Sequence, residues 1–177
     1  DFLLTGAAKS LRLQDPHSNL GNPHHTMLVQ THHEIETHEL TQKRIAAEWE
    51  SWKNDLIVNS DRSWLLVKFE KRWKSEFSAC PEKWDKLSEV ICSPKWLRKV
   101  EIMTVNRNSP TRLDYDDDRP LMVVVIGGFS LGRGLTLEGL TTSFFARTTK
   151  FYDTLLQMGR WSGFRKGYED LVRVHLT

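Results

Sequence analysis

Two arginines, Arg160 and Arg165, stand five residues apart in the segment Gln157-Met158-Gly159-Arg160-Trp161-Ser162-Gly163-Phe164-Arg165. A guanidinium is a planar fork of donors that stays charged at ordinary pH and matches phosphate oxygens. Paired arginines at a helix end facing a cleft can stabilise the charge on a transferring γ-phosphoryl group. They can equally do no more than cap a helix C-terminus, where cations are favourable in any case. On spacing alone the two readings stand level.

A second segment with chemical potential lies upstream. Val123-Val124-Val125-Ile126 runs into Gly127-Gly128-Phe129-Ser130-Leu131-Gly132-Arg133-Gly134, an apolar stretch that empties into a loop with four glycines. In an open α/β sheet, ligands bind beyond the carboxyl ends of the strands. Glycine there lets backbone approach a ligand or turn with positive φ. Gly127 and Gly132 have the spacing of a phosphate loop, but Arg133-Gly134 replaces the Lys-Ser/Thr that would reach the β/γ-phosphates and Mg²⁺. Gly128-Phe129-Ser130-Leu131-Gly132 matches the GxSxG nucleophile elbow, followed by Asp153 or Asp170 and then His175 in Ser–acid–His order. A glycine pair interrupts the helix an elbow needs, so a serine hydrolase using Ser130 is a remote alternative. The remaining reading, a strand-exit loop that meets a nucleotide, depends on the arginine segment downstream.

Metal chemistry is weaker. Asp114, Asp116, Asp117 and Asp118 could attract a hard cation, yet such a run is more often a solvated loop. His33-Glu34 resembles the start of HExxH, but His38 comes one residue too late for both histidines to share a helix face. No metal site is assigned. Bases interleave with aromatics at Lys71-Arg72-Trp73-Lys74, Lys83-Trp84 and Lys95-Trp96-Leu97-Arg98-Lys99, a pattern that can stack bases and bind phosphates. Helical periodicity places these tryptophans mainly in a core instead.

These segments need a scaffold. Phe2 to Leu13 reads as a helix, Met27–Thr31 as a short buried strand, and residues 14–25 as a loop between them. Ile45, Trp49, Trp52 and Leu56 make one helical stripe; Leu65, Phe69, Trp73 and Phe77 make another; Trp84, Leu87 and Ile91 continue after Pro81. About three helices thus fill residues 40–99. Val100–Val105, Leu121–Ile126, Thr141–Ala146 and Asp170–Leu176 read as strands, and Lys150–Trp161 as a helix. The β-branched run Leu121–Ile126 has the composition of a central parallel strand covered on both faces. Strands separated by helices imply an α/β fold with a mainly parallel sheet.

Composition agrees. The chain has 177 residues, a net charge of +2, 39% hydrophobic and 27% charged residues, which fits one soluble globular domain. Charge alone excludes a histone-like or acidic-tail protein. The longest apolar run, Leu121 to Ile126, is far too short to span a membrane. Cys80 and Cys92 make no disulfide framework and no CxxC pair, which points to reduced thiols in a cytoplasmic protein. Eight of ten glycines fall between Gly127 and Gly167, and six of seven tryptophans between Trp49 and Trp96, so packing and special backbone geometry are segregated. The chain opens inside a helical pattern and stops inside a strand pattern, as a piece of a larger protein would.

Together, the two chemical segments resemble a known family. Gly127 to Leu140 is similar to motif V of superfamily 2 helicases, and Gln157 to Arg165 to motif VI, the arginine-finger motif. The composite wording of residues 121–177 resembles the Z1 domain family, to which an endonuclease label is attached, as do Asp1 to Ala7 and His24 to Val29. The resemblance implies a RecA-like C-terminal helicase lobe with a Trp-rich helical insertion at about 40–99. It implies that Arg160 and Arg165 are candidate γ-phosphate fingers, with Gln157 orienting them or the attacking water. Gly128, Ser130, Gly132, Arg133, Gly134 and Thr136 would couple the ATP site to nucleic acid, and Glu138 would hold an arginine. ATP and Mg²⁺ would be bound jointly with an N-terminal RecA-like lobe of the same protein, and DNA would be the substrate, in restriction or phage defence. Thr136 stands where many helicases have Asp, and the chain holds neither a Walker A lysine nor an E-x-K or D-x-K nuclease triplet. This piece alone should therefore be inactive.

Overall fold

A computed structural model describes residues 1–30, 35–60, 62–105, 113–116, 118–127, 136–146 and 165–176. Gly128, Ser130, Gly132, Arg133, Gly134, Asp153, Gln157, Arg160 and the helix expected at 150–161 lie outside the described residues.

The described elements are α1 (Phe2–Gln14), β1 (His25–Gln30), α2 (Ile35–Val58), α3 (Trp64–Glu76), α4 (Trp84–Ile91), α5 (Pro94–Leu97), β2 (Val100–Val105), β3 (Met122–Gly127), β4 (Leu140–Phe145) and β5 (Arg173–Leu176). The strands form one sheet in the order β2-β3-β1-β4-β5, and every pairing is parallel. The expected α/β fold with a parallel sheet is therefore present.

β3 is buried at all six positions, as its continuous β-branched run requires. Its alternate residues feed two cores. Met122, Val124 and Ile126 pack with α1 and the helical block. Val123 and Val125 pack with Leu28, Leu137, Leu140 and Phe145 on the other face. The period of two along a strand is what sends neighbours to opposite faces.

The helical block begins at Ile35, earlier than its stripe suggested, and sits between β1 and β2 in sequence. Trp49, Leu56, Leu65, Trp73, Leu87, Ile91 and Trp96 join the same core as α1 and the sheet. Ser63 caps α3 by accepting a hydrogen bond from the Leu65 amide at 3.2 Å. Pro94 opens α5, where its missing N–H costs nothing. Trp73 and Trp96 are buried and Trp84 is half-buried, so the base-and-aromatic runs around them present cations rather than rings.

The strand expected from Asp170 begins only at Arg173, because Glu169–Leu171 forms a 3-10 turn. Arg12 explains the difference. It donates to Asp170 Oδ1 and Oδ2 at 2.6 Å, to Glu82 Oε1 at 2.6 Å and to the Gly167 carbonyl at 2.9 Å. One guanidinium thereby clamps α1, the loop before α4 and the turn before β5. Burial works against its charge, but Asp170 and Glu82 outweigh that and hold its pKa above the ordinary value. Arg12→Met strands the carboxylate of Glu82, which is only 7% exposed. The expected loss of stability is about 3 kcal/mol, the low end for a broken buried pair because Asp170 is partly solvated. A shift in urea midpoint corresponding to less than about 1 kcal/mol would place the clamp among ordinary surface pairs.

Candidate functional site

The described parts of the two motif segments meet at the amino-terminal edge of the sheet. The joint begins at Gly139, which has φ +64° and sits where the chain enters β4. Its carbonyl accepts the Thr26 amide at 3.0 Å, and a Cβ at this position would lie 1.8 Å from the His24 carbonyl oxygen. Thr26 Oγ1 donates to the Glu138 carbonyl at 2.6 Å. The His25 amide donates to the Leu121 carbonyl at 2.8 Å, and the Leu121 amide to His24 Nδ1 at 3.1 Å. The starts of β1, β3 and β4 are thus tied by backbone.

Side chains build on that frame. Asn22 Oδ1 accepts the His24 amide at 3.0 Å, while its Nδ2 donates to Glu138 Oε2 at 3.2 Å. The Tyr115 ring meets His24 edge-on at 4.9 Å. Burial pushes the Tyr115 phenol up.

Lys9 occupies the middle. It lies on α1, is 1% exposed, donates to the His24 carbonyl and sits 4.1 Å over the ring of Tyr168. Burial first, and then the positive charge of Arg165, pull its pKa down to about 7. Tyr168 is itself buried, and burial raises its phenol. Arg165 opposes that rise through charge and a side-chain hydrogen bond, while Glu138 and Glu169 add to it. Arg165 thus engages one buried tyrosine that has Lys9 on its face, while Glu138, bonded by Asn22, acts on that tyrosine through its charge.

Arg165 and Glu138 are brought together as candidates, but their edge is opposite to the one the glycine loop leaves from. The loop departs at Gly127, the carboxyl end of β3. Sequence reasoning set both segments at the carboxyl ends. Parallel β4 starts beside the start of β1, which puts Glu138 at the edge opposite Gly127. Thr136 is exposed, and Glu138 holds Asn22.

Of the residues the hydrolase alternative would use, only Asp170 and His175 are described. Asp170 is engaged by Arg12 and by Cys80 Sγ at 3.2 Å, and His175 Nε2 lies 2.9 Å from Asp1 Oδ2. The two do not form an acid–base pair. Burial above all, and the neighbouring carboxylates, push the Cys80 thiol up to about 12, which keeps it unreactive. Asp116 accepts the Asp118 amide at 3.0 Å in a turn. Among the described residues, no group of three or more His, Cys, Asp or Glu could hold a metal ion. A largely apolar cavity of about 610 Å³ lies elsewhere, between the sheet face and α2 and α3, where it meets Val29, Val124, Trp49, Trp52, Phe69 and Phe144.

Sequence reasoning passed over Lys9, Asn22 and Tyr168. The one visible signal was Lys9 directly after Gly6-Ala7-Ala8, small residues that let a helix approach a sheet closely. His25 is buried against Phe2, with ring centroids 4.5 Å apart and Nε2 donating to the Phe2 carbonyl at 2.8 Å. Burial, and secondarily the Lys9 charge, pull its pKa down to about 3.

Both depressed values make stability depend on pH with one sign. Between about 7 and 10.5 the unfolded chain keeps the Lys9 proton that the folded chain has released. Stability from Lys9 is full above 10.5 and is lost as pH falls to about 7. Stability from His25 is full above 6.5 and is lost as pH falls towards 3. Denaturation midpoints should therefore rise with pH through both windows, and Lys9→Met should flatten the alkaline rise. An alkaline rise of equal slope in Lys9→Met would show that Lys9 stays charged on the Tyr168 ring.

A family model for the Z1 domain matches residues 1–177. No curated protein and no solved structure matches the chain.

Proposed function

The chain belongs to the Z1 domain family, and from that premise we propose that it is the C-terminal lobe of a helicase-like, ATP-dependent enzyme acting on DNA. Three things support the reading: the motif V and motif VI wording of the sequence, the all-parallel α/β sheet, and the chain of contacts from Gly139 through His24 and Lys9 to Tyr168. The last carries most weight. Gly139 packs on the His24 carbonyl to which Lys9 donates, and Lys9 lies over Tyr168, three residues after Arg165, so the downstream ends of the two motif segments share one packed cluster.

In this reading the two arginines have different tasks. Arg165 is packed with Tyr168 beside buried Lys9 and anchors its segment. Arg160, on the same segment, is the finger that reaches the γ-phosphate, and Gln157 orients it or the attacking water. Gly128, Ser130, Gly132, Arg133 and Gly134 present backbone and one guanidinium to the nucleotide and the DNA backbone. Exposed Thr136 is open to the same partners. ATP·Mg²⁺, when bound between this lobe and an N-terminal RecA-like lobe, supplies the phosphoryl group. Mg²⁺ would be held with the nucleotide, jointly with the other lobe. This lobe positions donors and excludes water.

Steady-state ATP hydrolysis by the full-length protein, with and without DNA, tests the reading. DNA-stimulated turnover is expected. A protein that binds DNA but hydrolyses no ATP under either condition would be a binding module instead.

A further inference from the structure

α3 has two unlike faces. Leu65 and Trp73 are buried and Phe69 packs behind them. The opposite side carries Trp64, Val67, Lys68, Lys71 and Lys74, all exposed, at helical spacings of three and four. Trp64 is the outlier in the helical block: it is 51% exposed, whereas Trp49, Trp73 and Trp96 are at most 9%. An indole held out in water on a capped helix gives up stabilisation that burial would supply. Lys68 Nζ stands 4.4 Å over its ring.

The charges nearby lean one way. Glu70 and Glu76, the acidic residues of α3, are taken up by Lys74 at 2.6 Å and Arg72 at 3.3 Å. Among the described residues, no carboxylate lies within ion-pair distance of Lys68, Lys71 or the exposed Arg62. An exposed aromatic ring with one lysine over its face and a second about a turn further along the same helix suits a polyanion that also offers flat π-faces.

We propose that this face of α3 binds single-stranded nucleic acid, with a base stacked on Trp64 and phosphates on Lys68 and Lys71. A duplex hides its base faces, so it would use the lysines and not the ring. The inference rests on the DNA-acting reading above for its partner, and it adds a contact outside both motif segments.

Binding of a labelled oligodeoxythymidine to the full-length protein, followed by anisotropy without nucleotide, provides the test. Trp64→Ala should weaken binding about tenfold, within the range of one lost base stack, and Trp64→Phe should restore most of it. Lys68→Ala with Lys71→Ala should reduce the salt slope of log K by about 1.4, at roughly 0.7 per phosphate contact on a single strand. Wild-type affinity in both variants would overturn the inference. So would equal sensitivity of duplex binding to Trp64→Ala, or a change in oligomeric state with DNA affinity intact, which would make the face a protein interface. A protein that hydrolyses no ATP yet binds through Trp64 overturns the ATPase reading and leaves this contact standing. DNA-stimulated ATPase and DNA affinity that ignore Trp64→Ala do the reverse.

Discussion

Arg160→Ala in the full-length protein is expected to lower kcat for ATP hydrolysis by roughly 10²-fold or more, with KM for ATP changed much less. The magnitude follows from arginine fingers in general, which stabilise charge that appears only as the γ-phosphoryl group transfers. An interaction made in the transition state and not in the ground state acts on kcat. Arg160→Lys should recover little, because an ammonium keeps the charge and loses the planar fork. Arg165→Ala is expected to read differently. Arg165 is packed with Tyr168 and faces Lys9, so its loss should lower the melting temperature and reduce kcat by a smaller factor. It should also relieve repulsion on Lys9 and raise the pKa of that ammonium. Unchanged turnover in both variants would sink the finger assignment; the larger kcat effect in Arg165→Ala would exchange the two roles.

Gly139→Ala should cost a large share of the stability. The added methyl would stand 1.8 Å from the His24 carbonyl oxygen and 2.3 Å from its carbon, which are backbone atoms that cannot rotate away. The residue also holds φ +64°, where an L side chain is strained. Strain of this kind and overpacking each cost about 1–3 kcal/mol. Their sum is a large share of the roughly 5–15 kcal/mol that holds an ordinary domain. The damage would spread, because Gly139 and Glu138 supply the carbonyls that fix Thr26 at the start of β1. Gly21→Ala is the matched control: no atom lies within 4 Å of its built Cβ. Equal urea midpoints for Gly139→Ala and Gly21→Ala would show that β4 can re-register without loss.

Much of the scaffold was legible. The run at 121–126 read as a central strand because a strand covered on both faces must be apolar at every position, and β3 is. The stripes Ile45–Leu56 and Leu65–Phe77 read as helices because one face of each meets the core. Trp64 was counted with the packing tryptophans, but it lies one residue off the Leu65–Phe77 stripe and faces water. The turn at Glu169–Leu171 was hidden, because Asp170 is held there by Arg12, far away in the chain.

The site was less legible, for a related reason. Lys9 looks like any helical lysine in sequence. Its burial depends on a carbonyl at residue 24 and a ring at residue 168 arriving together. No local pattern encodes that meeting. Nor does any local pattern say at which edge of the sheet a motif ends. Glu138 and Arg165 were identified by their surroundings in sequence, but their edge follows from strand order.

The amino-acid sequence alone thus determined the class of fold, the helical block and the family, because periodicity and motif wording are local properties. The tertiary structure decided which charged groups are buried, which tryptophan faces water, and that the downstream ends of the two motif segments meet around His24 and Lys9. Those outcomes depend on the order β2-β3-β1-β4-β5, which places residues distant in the chain within contact range. Burial and electrostatics act through space, so they are settled only when the sheet is assembled.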